Sequence, residues 1–202
     1  IYGEIYLPVH HHLMSNGVPL ASITQVYSKD QVFGQCRLWL ESNLRGAELV
    51  DTSSTAEAAQ IVANNSNQEG IACIASKIAA DVYGLKVLAS SIEDNVNNTT
   101  RFLVIARDEA KPTKADKTSI VFEIKDRSGA LHDILLPLKK ARLNLTKIES
   151  RPSKKKVWSY YFFVDFEGHH DEPRVKKALA TLEKHCTFLN VLGSYPKADG
   201  GA

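Results

Sequence analysis

The stretch ELVDTSSTAE, residues 48–57, joins a strand-like segment to the start of a helix. Its first four residues, Glu48–Asp51, suit a short strand. Ser54 and Glu57 have the spacing of a capping box, in which a serine and an acid three residues later satisfy free amides at a helix start. An alanine-rich segment follows, as a helix favours. This order of strand, cap and helix is repeated on both sides of the stretch.

Upstream, two segments suit strands, because residues 4–9 and 22–27 are short and rich in β-branched or aromatic residues. Ser28 and Gln31 then form another capping box, which predicts a helix that ends near residues 43–46. Three residues are predicted to share the buried side of this helix: Phe33, Cys36 and Leu40.

Downstream, the same pattern continues. The apolar residues 71–74 predict a strand that leads into a third helix, with Ser76 as its N-cap and Gly84 at its end. Residues 85–88 form another strand-like segment. Because strands alternate with helices, residues 1–106 are predicted to form a mostly parallel sheet covered by helices.

Three helices would then begin near one edge of the sheet, where open α/β folds bind ligands. A helix start presents free amides and a partial positive charge, so several of them together favour a carboxylate or a phosphate. A single cap stabilises its own helix by about 1 kcal/mol and needs no ligand to explain it. The clustering nevertheless predicts an anion pocket with five residues at its rim: Ser28, Gln31, Ser54, Thr55 and Ser76.

Another polar site is predicted where an asparagine-rich loop becomes the apolar run 103–106, which we expect to be a buried strand. Thr100 and Arg101 stand at this junction. A hydroxyl and a guanidinium at a strand end suit an anionic ligand, although a loop with a surface arginine explains the pattern as well.

The composition indicates a soluble globular protein, since the 202 residues are 44% hydrophobic and 24% charged. A net charge of +2 does not favour a nucleic-acid or membrane surface. The three cysteines are widely spaced and indicate neither a disulfide framework nor a zinc site. Without a membrane-spanning run or a signal sequence, a cytoplasmic location is expected. Because the chain begins at Ile1 in a strand-like segment and its single methionine is Met14, we expect that a longer natural protein has lost its N-terminal part.

A second unit follows residues 108–117, which interrupt the apolar pattern and have the composition of a linker. Its elements are, in order, a strand at 118–124, a helix at 129–142, strands at 143–150 and 157–167, a helix from Pro173 and a strand at 188–195. The order β, α, β, β, α, β is that of a ferredoxin-like unit, whose two helices cover one face of a sheet.

Three motifs give the chain a family resemblance. Thr100-Arg101-Phe102 resembles the catalytic motif of prephenate dehydratases. Gly129-Ala130-Leu131 and Glu149-Ser150-Arg151-Pro152 resemble the two phenylalanine-binding motifs of the ACT domain of that family. The resemblance implies an α/β fold in which a periplasmic-binding-protein-like lobe, residues 1–108, precedes a ferredoxin-like ACT domain, residues 117–197.

In catalysis, the resemblance implies that prephenate loses its ring hydroxyl and a carboxylate, as water and carbon dioxide, to give phenylpyruvate. Thr100 would donate a hydrogen bond to the departing oxygen, and Arg101 would pair with a substrate carboxylate. His11 and Phe102 join the rim residues as candidate substrate contacts, although packing in the core is the simpler role for Phe102. No metal or organic cofactor is required.

In regulation, the resemblance implies L-phenylalanine as an effector, bound at an interface between ACT domains of a homodimer or homotetramer. Helix-start amides near Ala130 and Leu131 would take its carboxylate, and Glu149 its ammonium group. The candidate effector site comprises seven residues: Gly129, Ala130, Leu131, Glu149, Ser150, Arg151 and Pro152. Without a ligand, Gly129 is explained as a helix-start glycine and Glu149 with Arg151 as a surface ion pair.

Two departures leave alternatives open. The first lobe of the family's catalytic domain would precede Ile1, and Lys29-Asp30 stand where the family commonly has histidine and proline. The chain could therefore be an amino-acid-binding ACT module with an incomplete catalytic lobe, and arogenate is an alternative substrate. Two further runs are given structural readings: His10–His12 as pocket-edge histidines rather than metal ligands, and Lys154–Lys156 as a solvated turn.

Overall fold

The computed structural model describes residues 1–65, 69–124, 127–153 and 159–198. The chain divides into two compact units: the lobe unit, Leu7–Thr100, and the ACT unit, Ile1–Tyr6 with Arg101–Ala202. Its strands are β1 Gly3–Pro8, β2 His12–Ser15, β3 Gln25–Ser28, β4 Glu48–Asp51, β5 Ile71–Ala75, β6 Lys86–Ala89, β7 Thr99–Val104, β8 Asp116–Ile124, β9 Leu145–Pro152, β10 Tyr160–Glu167 and β11 Cys186–Pro196. Its helices are α1 Asp30–Gln35, α2 Arg37–Asn43, α3 Thr55–Asn64, α4 Lys77–Tyr83, α5 Ala130–Lys140 and α6 Pro173–Glu183.

The lobe unit contains a five-stranded sheet in the order β4-β3-β5-β2-β6. Strands β3, β4 and β5 run parallel, and β2 runs antiparallel to both β5 and β6. The predicted alternation of strands and helices is confirmed, but β2 was not predicted. Its four buried residues begin with the last of three consecutive histidines and carry no alternating pattern that would distinguish them from a loop.

Helices cover both faces of this sheet. On one face Phe33, Cys36 and Leu40 pack into the core, which confirms their predicted burial. On the other face α3 and α4 pack through small residues such as Ala58 and Ala80. The single helix predicted after residue 28 is two short helices, because the backbone leaves the helical conformation at Cys36.

The predicted caps of the helices differ in outcome. The hydroxyl of Ser54 accepts a hydrogen bond from the amide of Glu57 at 3.1 Å, so the cap of α3 is confirmed. The capping box at Ser28 is wrong, because the buried Ser28 hydroxyl donates to the carbonyl of Ile74 and the N-cap of α1 is Lys29. Ser76 occupies the N-cap position of α4 without a capping hydrogen bond from its side chain.

The ACT unit contains an antiparallel sheet in the order β11-β8-β10-β9. Helices α5 and α6 pack against one face, where Phe122, Ile134 and Leu182 are fully buried. The predicted order of strands and helices is confirmed, and β8 already begins at Asp116, inside the segment expected to be a linker. Gly129 precedes α5 with φ of 77°, a backbone conformation that glycine adopts without the steric cost of a Cβ atom.

Strand β7 contradicts the expected burial of the segment after Arg101. It pairs with β1 in a two-stranded sheet, and Phe102 is 51% exposed. Leu103 and Val104 are also exposed, so Phe102 does not pack in a core of the described residues. The apolar run forms a strand as predicted, but its apolar side chains are exposed, whereas Arg101 of the same strand is largely buried.

Candidate functional site

The carboxyl ends of β3, β4 and β5 meet at one edge of the lobe sheet, because these strands are parallel and adjacent. Ser28 ends β3, and α3 and α4 begin directly beyond β4 and β5. The start of β2 lies at the same edge, since His12 pairs with Ala75. The structure therefore brings four of the predicted rim residues to this edge: Ser28, Ser54, Thr55 and Ser76.

Not all rim residues have a free hydroxyl for a ligand. Ser28 is fully buried and donates to Ile74, whereas the oxygen of Ser54 serves as the cap of α3. Ser76 is exposed, and Gln31 is exposed in the first turn of α1. The serine at the end of β3 thus stabilises the neighbouring strand, and exposed side chains at the rim are better placed to meet a ligand.

Glu93 and Gln35 form a cluster with the histidines that sequence reasoning did not predict. The Glu93 carboxylate accepts hydrogen bonds from His10 Nδ1 and from the amide of His11, both at 2.8 Å. His11 Nε2 donates to Gln35 Oε1 at 2.7 Å. Burial by itself raises the pKa of Glu93, but the hydrogen bonds from His10 and the His11 amide outweigh it and lower the pKa below 4.5.

The sequence carries only weak signals that Gln35 and Glu93 belong to this cluster. Gln35 lies one helical turn after Gln31, so the choice between them needed the direction in which α1 faces. Glu93 lies between a buried isoleucine and a second acid, Asp94, and its partners are more than 80 residues away. Within the described residues, the group that could hold a metal ion is His169–Asp171 rather than His10–His12.

Thr100 and Arg101 have different surroundings in β7. Thr100 is exposed. The Arg101 side chain is only 16% exposed, and all three of its nitrogens face partners of the ACT unit. Nε lies 2.7 Å from Glu4 Oε2 and forms an ion pair with it, although the angle does not suit a hydrogen bond. One terminal nitrogen donates to Asp165, and the other donates to the Tyr195 hydroxyl at 2.6 Å.

Charge pairing controls the ionisation of this cluster. Burial by itself raises the pKa of Glu4, but the hydrogen bonds from Lys117 and the Ala198 amide and the charges of Lys117 and Arg101 lower it below 4.5. Burial likewise opposes the charged forms of Arg101 and Lys117, yet their acidic partners raise the pKa of both. Glu4, Arg101 and Lys117 are therefore all charged at neutral pH.

The candidate effector residues lie at one end of the ACT sheet. Arg151 pairs in register with Tyr161, which in turn pairs with Glu123 near the end of β8. Because α5 follows that end of β8, the start of α5 and the end of β9 are brought to the same end of the sheet. This places Gly129, Ala130 and Leu131 at the same end as the last residues of β9: Ser150, Arg151 and Pro152.

Glu149 is the acid at the centre of this group. It forms ion pairs with Lys147 at 3.1 Å and with Arg151 at 2.7 Å, and the hydrogen bonds from these two partners lower its pKa. Glu149 pairs with Phe163, whose neighbour Val164 packs under the helices, so Glu149 lies on the face away from the helices. A cavity of about 240 Å³ on this face is lined by residues that include Arg101, Glu149 and Asp165.

The chain thus combines an α/β lobe, with helix starts at one sheet edge, and a ferredoxin-like unit with an antiparallel sheet covered by two helices. Comparison with known families makes this specific. The family model for prephenate dehydratase matches residues 1–110, and the model for the ACT domain matches residues 118–184. The chain belongs to the prephenate dehydratase family.

Individual relatives agree with this membership. A bifunctional chorismate mutase/prephenate dehydratase of Aquifex aeolicus is 50% identical over 98% of this chain, which covers 54% of that protein. A prephenate dehydratase of Methanocaldococcus jannaschii is 42% identical over 98% of this chain and 72% of its own length. A crystal structure of prephenate dehydratase from Arthrobacter aurescens in complex with L-Phe has a TM-score of 0.87 at 36% identity, covering 98% of this chain and 66% of that one.

The chain therefore spans about half the length of the first relatives, each of which it covers to 54%. No helix in the described ranges is both long and apolar enough to cross a membrane.

Proposed function

We propose that this chain takes part in prephenate dehydration, in which prephenate loses water and carbon dioxide to give phenylpyruvate for phenylalanine biosynthesis. The observation that carries the proposal is the match of both family models, in the order of catalytic and ACT domains, to a chain that has Thr100-Arg101-Phe102 near the end of the catalytic match. We extend the proposal to functional domains at residues 1–108 and 117–197.

The reaction gains its driving force from the aromatic ring of the product, so the protein needs to assist the departure of the hydroxyl and to hold the substrate anions. Thr100 is exposed on β7 and has a hydroxyl that can donate a hydrogen bond to the departing oxygen. Such general-acid assistance accelerates a reaction by roughly 10² to 10⁴. Threonine suits this role because it donates a hydrogen bond without carrying a charge of its own.

The carboxylates of prephenate would bind at the edge where the lobe strands end. Thr55 at the start of α3 and Ser76 at the start of α4 are placed beside free helix amides, which favour an anion. His11 contributes through its ring, held by Gln35. Ser28, Gln31, Ser54 and Phe102 complete the proposed substrate site as supporting residues.

The ACT unit would bind L-phenylalanine as a feedback effector. The Arthrobacter aurescens relative was crystallised with L-Phe, which supports this ligand class. In this chain the start of α5 offers amides for a carboxylate, and Glu149 offers an anion for an ammonium group. Inhibition at a distance requires that phenylalanine bind one arrangement of the protein more tightly than another. A homodimer or homotetramer through the ACT units and a cytoplasmic location remain predictions.

The test is phenylpyruvate formation from prephenate, measured with this chain and with the full-length natural protein. We expect activity in the full-length protein and its loss in Thr100→Val, whereas Thr99→Val, the neighbouring exposed threonine of β7, retains activity. Arogenate is assayed in parallel, and a higher kcat/KM with arogenate would reassign the substrate. If neither form of the protein is active with either substrate, the proposed dehydratase activity is contradicted.

Isothermal titration calorimetry with L-phenylalanine tests the regulatory part separately. Thr100→Val is expected to bind L-phenylalanine with unchanged affinity, since Thr100 does not line the proposed effector site. Binding without any dehydratase activity would favour the alternative of an ACT regulatory module with an incomplete catalytic lobe. Failure of Thr100→Val to bind would indicate a folding defect instead.

A further inference from the structure

Arg101 is part of a closed ring of hydrogen bonds with Tyr195, Ser119 and Asp165, which we call the Arg101 ring. Arg101 donates to the Tyr195 oxygen at 2.6 Å and to Asp165 Oδ2. Tyr195 and Ser119 are joined at 2.7 Å, and Ser119 donates to Asp165 Oδ1. Since Tyr195 accepts from Arg101 and Ser119 donates to Asp165, the hydroxyl of Tyr195 must donate to Ser119. The four hydrogen bonds of the ring are then mutually consistent, whereas Arg101 Nε makes no hydrogen bond and faces Glu4 only as an ion pair.

A second set of contacts anchors the other side of the guanidinium. Glu4 lies 2.7 Å from Arg101 Nε and 2.8 Å from Lys117 Nζ. Lys117 also donates to the Tyr6 hydroxyl at 3.2 Å, and Tyr6 donates back to Glu4 at 3.1 Å. The two cations and the two carboxylates of the combined cluster balance each other. A buried charge is costly without such a partner, so removal of one member leaves another uncompensated.

The cluster is buried and is built from five strands of the ACT unit. The Glu4 side chain is fully buried, and those of Lys117 and Asp165 are 4% and 8% exposed. Arg101 comes from β7, Ser119 from β8, Asp165 from β10 and Tyr195 from β11. The contacts therefore fix the backbone of β7 at Arg101 to three strands of the ACT sheet.

These contacts leave Arg101 poorly suited to bind a substrate carboxylate. A guanidinium has five N–H donors, and a bidentate pair with a substrate needs two that are free and aligned. Here all three nitrogens already face Glu4, Asp165 or Tyr195. The residue directly before Arg101 is Thr100, the proposed hydrogen-bond donor to the departing oxygen.

We propose that Arg101 and its partners Asp165, Ser119, Tyr195 and Glu4 are positioning residues, which hold β7 so that Thr100 has its catalytic geometry. They act through the backbone of β7 and do not touch the substrate. The inference rests on the proposed function. It assigns to the ACT sheet a direct part in placing the catalytic threonine, in addition to binding an effector.

The experiment uses the full-length natural protein with Tyr195→Phe, Asp165→Asn and Arg101→Lys. Two control variants make the same chemical changes on β10 outside the ring: Tyr161→Phe and Glu167→Gln, the latter removing the exposed partner of Lys197. Misplacement of a catalytic group by about 1 Å can cost on the order of 100-fold in rate. We expect kcat for prephenate to fall at least about 10-fold in each ring variant, with KM within about twofold, and no change in the controls.

Two kinetic outcomes would overturn the inference. A rise in KM at unchanged kcat in Arg101→Lys would indicate that Arg101 binds substrate. Ring variants that match the controls would show that the ring has no part in catalysis. The double variant Tyr195→Phe/Arg101→Lys is expected to have the same kcat as Arg101→Lys alone, because both changes break the same hydrogen-bonded ring. Additive losses of kcat would also contradict the positioning role of the ring.

Hydrogen exchange separates this inference from the proposed function. Amides of β7 are expected to exchange faster in Tyr195→Phe than in the unmodified protein or Tyr161→Phe, measured well below the unfolding temperature. Equal exchange rates in these three proteins would contradict the positioning role of the Arg101 ring but not the proposed function. Absence of phenylpyruvate formation by the unmodified protein would contradict the proposed function. Because Arg101 lines a cavity with Glu149, L-phenylalanine affinity is measured too. The affinity of the ring variants should stay within about twofold of the unmodified protein. A large loss of affinity in Arg101→Lys would indicate that Arg101 belongs to the effector site instead.

Discussion

At the scale of single residues, ionisation follows from what each side chain touches rather than from its type. Glu4 and Glu149 are both acids with a lowered pKa, but Glu4 is buried between Lys117 and Arg101, whereas Glu149 pairs with two cations at the surface. Removal of one partner from a buried ion pair is strongly destabilising because it leaves an uncompensated buried charge, whereas exposed pairs contribute little. Substitutions at the two acids should therefore have different consequences.

Glu4→Gln tests the buried pair. The Glu4 pKa is lower in the folded state, so its stabilising contribution is complete above the unfolded value of 4.5 and is lost as the pH falls through the folded pKa. At pH 7 we expect the free energy of unfolding to drop by about 3 kcal/mol, because Lys117 loses its acidic partner and Arg101 keeps only Asp165. The difference from the unmodified chain should shrink below pH 4.5, where that chain loses the same contribution. Urea unfolding measures both, and an equal loss in Glu41→Gln, an exposed control, would contradict the assignment.

The cysteines give a second prediction at this scale. Burial raises the pKa of Cys36 and Cys73 to about 12, so at pH 8 almost none of either thiol is in the reactive thiolate form. Both are expected to resist a thiol-specific reagent in the folded protein and to react after unfolding in urea. Rapid labelling of the folded protein at Cys36 or Cys73, identified by mass spectrometry, would contradict their burial.

At the scale of elements, similar sequence signals have different structural roles. Ser54 and Ser76 both precede helices of the lobe unit, yet only the side chain of Ser54 caps its helix. Ser28 had the same signal and instead bonds a neighbouring strand. A cap requires a side-chain oxygen oriented toward the amides of the first turn. Ser28 is buried and bonded to Ile74, whereas Ser76 is exposed and its side chain makes no capping bond.

The two serines provide a matched pair of substitutions. Ser54→Ala should reduce the free energy of unfolding by about 1 kcal/mol, because the amide of Glu57 loses its acceptor. Ser76→Ala should change it by no more than a few tenths of a kcal/mol, since its side chain makes no capping bond. Equal losses in the two variants, measured by chemical denaturation, would contradict the difference between the caps.

At the scale of the whole molecule, the two faces of the ACT sheet serve different purposes. One face packs under α5 and α6, and the other carries the Arg101 ring and Glu149. Alternation along the strands causes this division, since Val164 and Phe166 face the helices while Asp165 between them faces away. The face without helices is thus free to hold charged groups, provided that each finds a partner.

Ligand binding should be visible as a gain in stability of the whole chain. A ligand that binds only the folded state stabilises it by about 2.7 kcal/mol at a concentration 100 times Kd. L-phenylalanine is therefore expected to raise the unfolding temperature, and Glu149→Gln should abolish most of that rise. The control Glu183→Gln removes an exposed acid from the end of α6 and should leave the rise unchanged. A full rise in Glu149→Gln would exclude Glu149 from the effector site.

The sequence by itself determined the order of most elements, with β2 and the division of the first helix as exceptions, because strand and helix patterns, Gly84 and the cap at Ser54 depend on neighbouring residues. It also identified the motif around Thr100, since the residues of a motif are adjacent in the chain. Only the tertiary structure decided the partners of Arg101, because Asp165 and Tyr195 are 64 and 94 residues away. It likewise decided the place of β2 and the exposure of Phe102. A local pattern specifies what a segment can form, whereas burial and ion pairing depend on which distant segments pack against it.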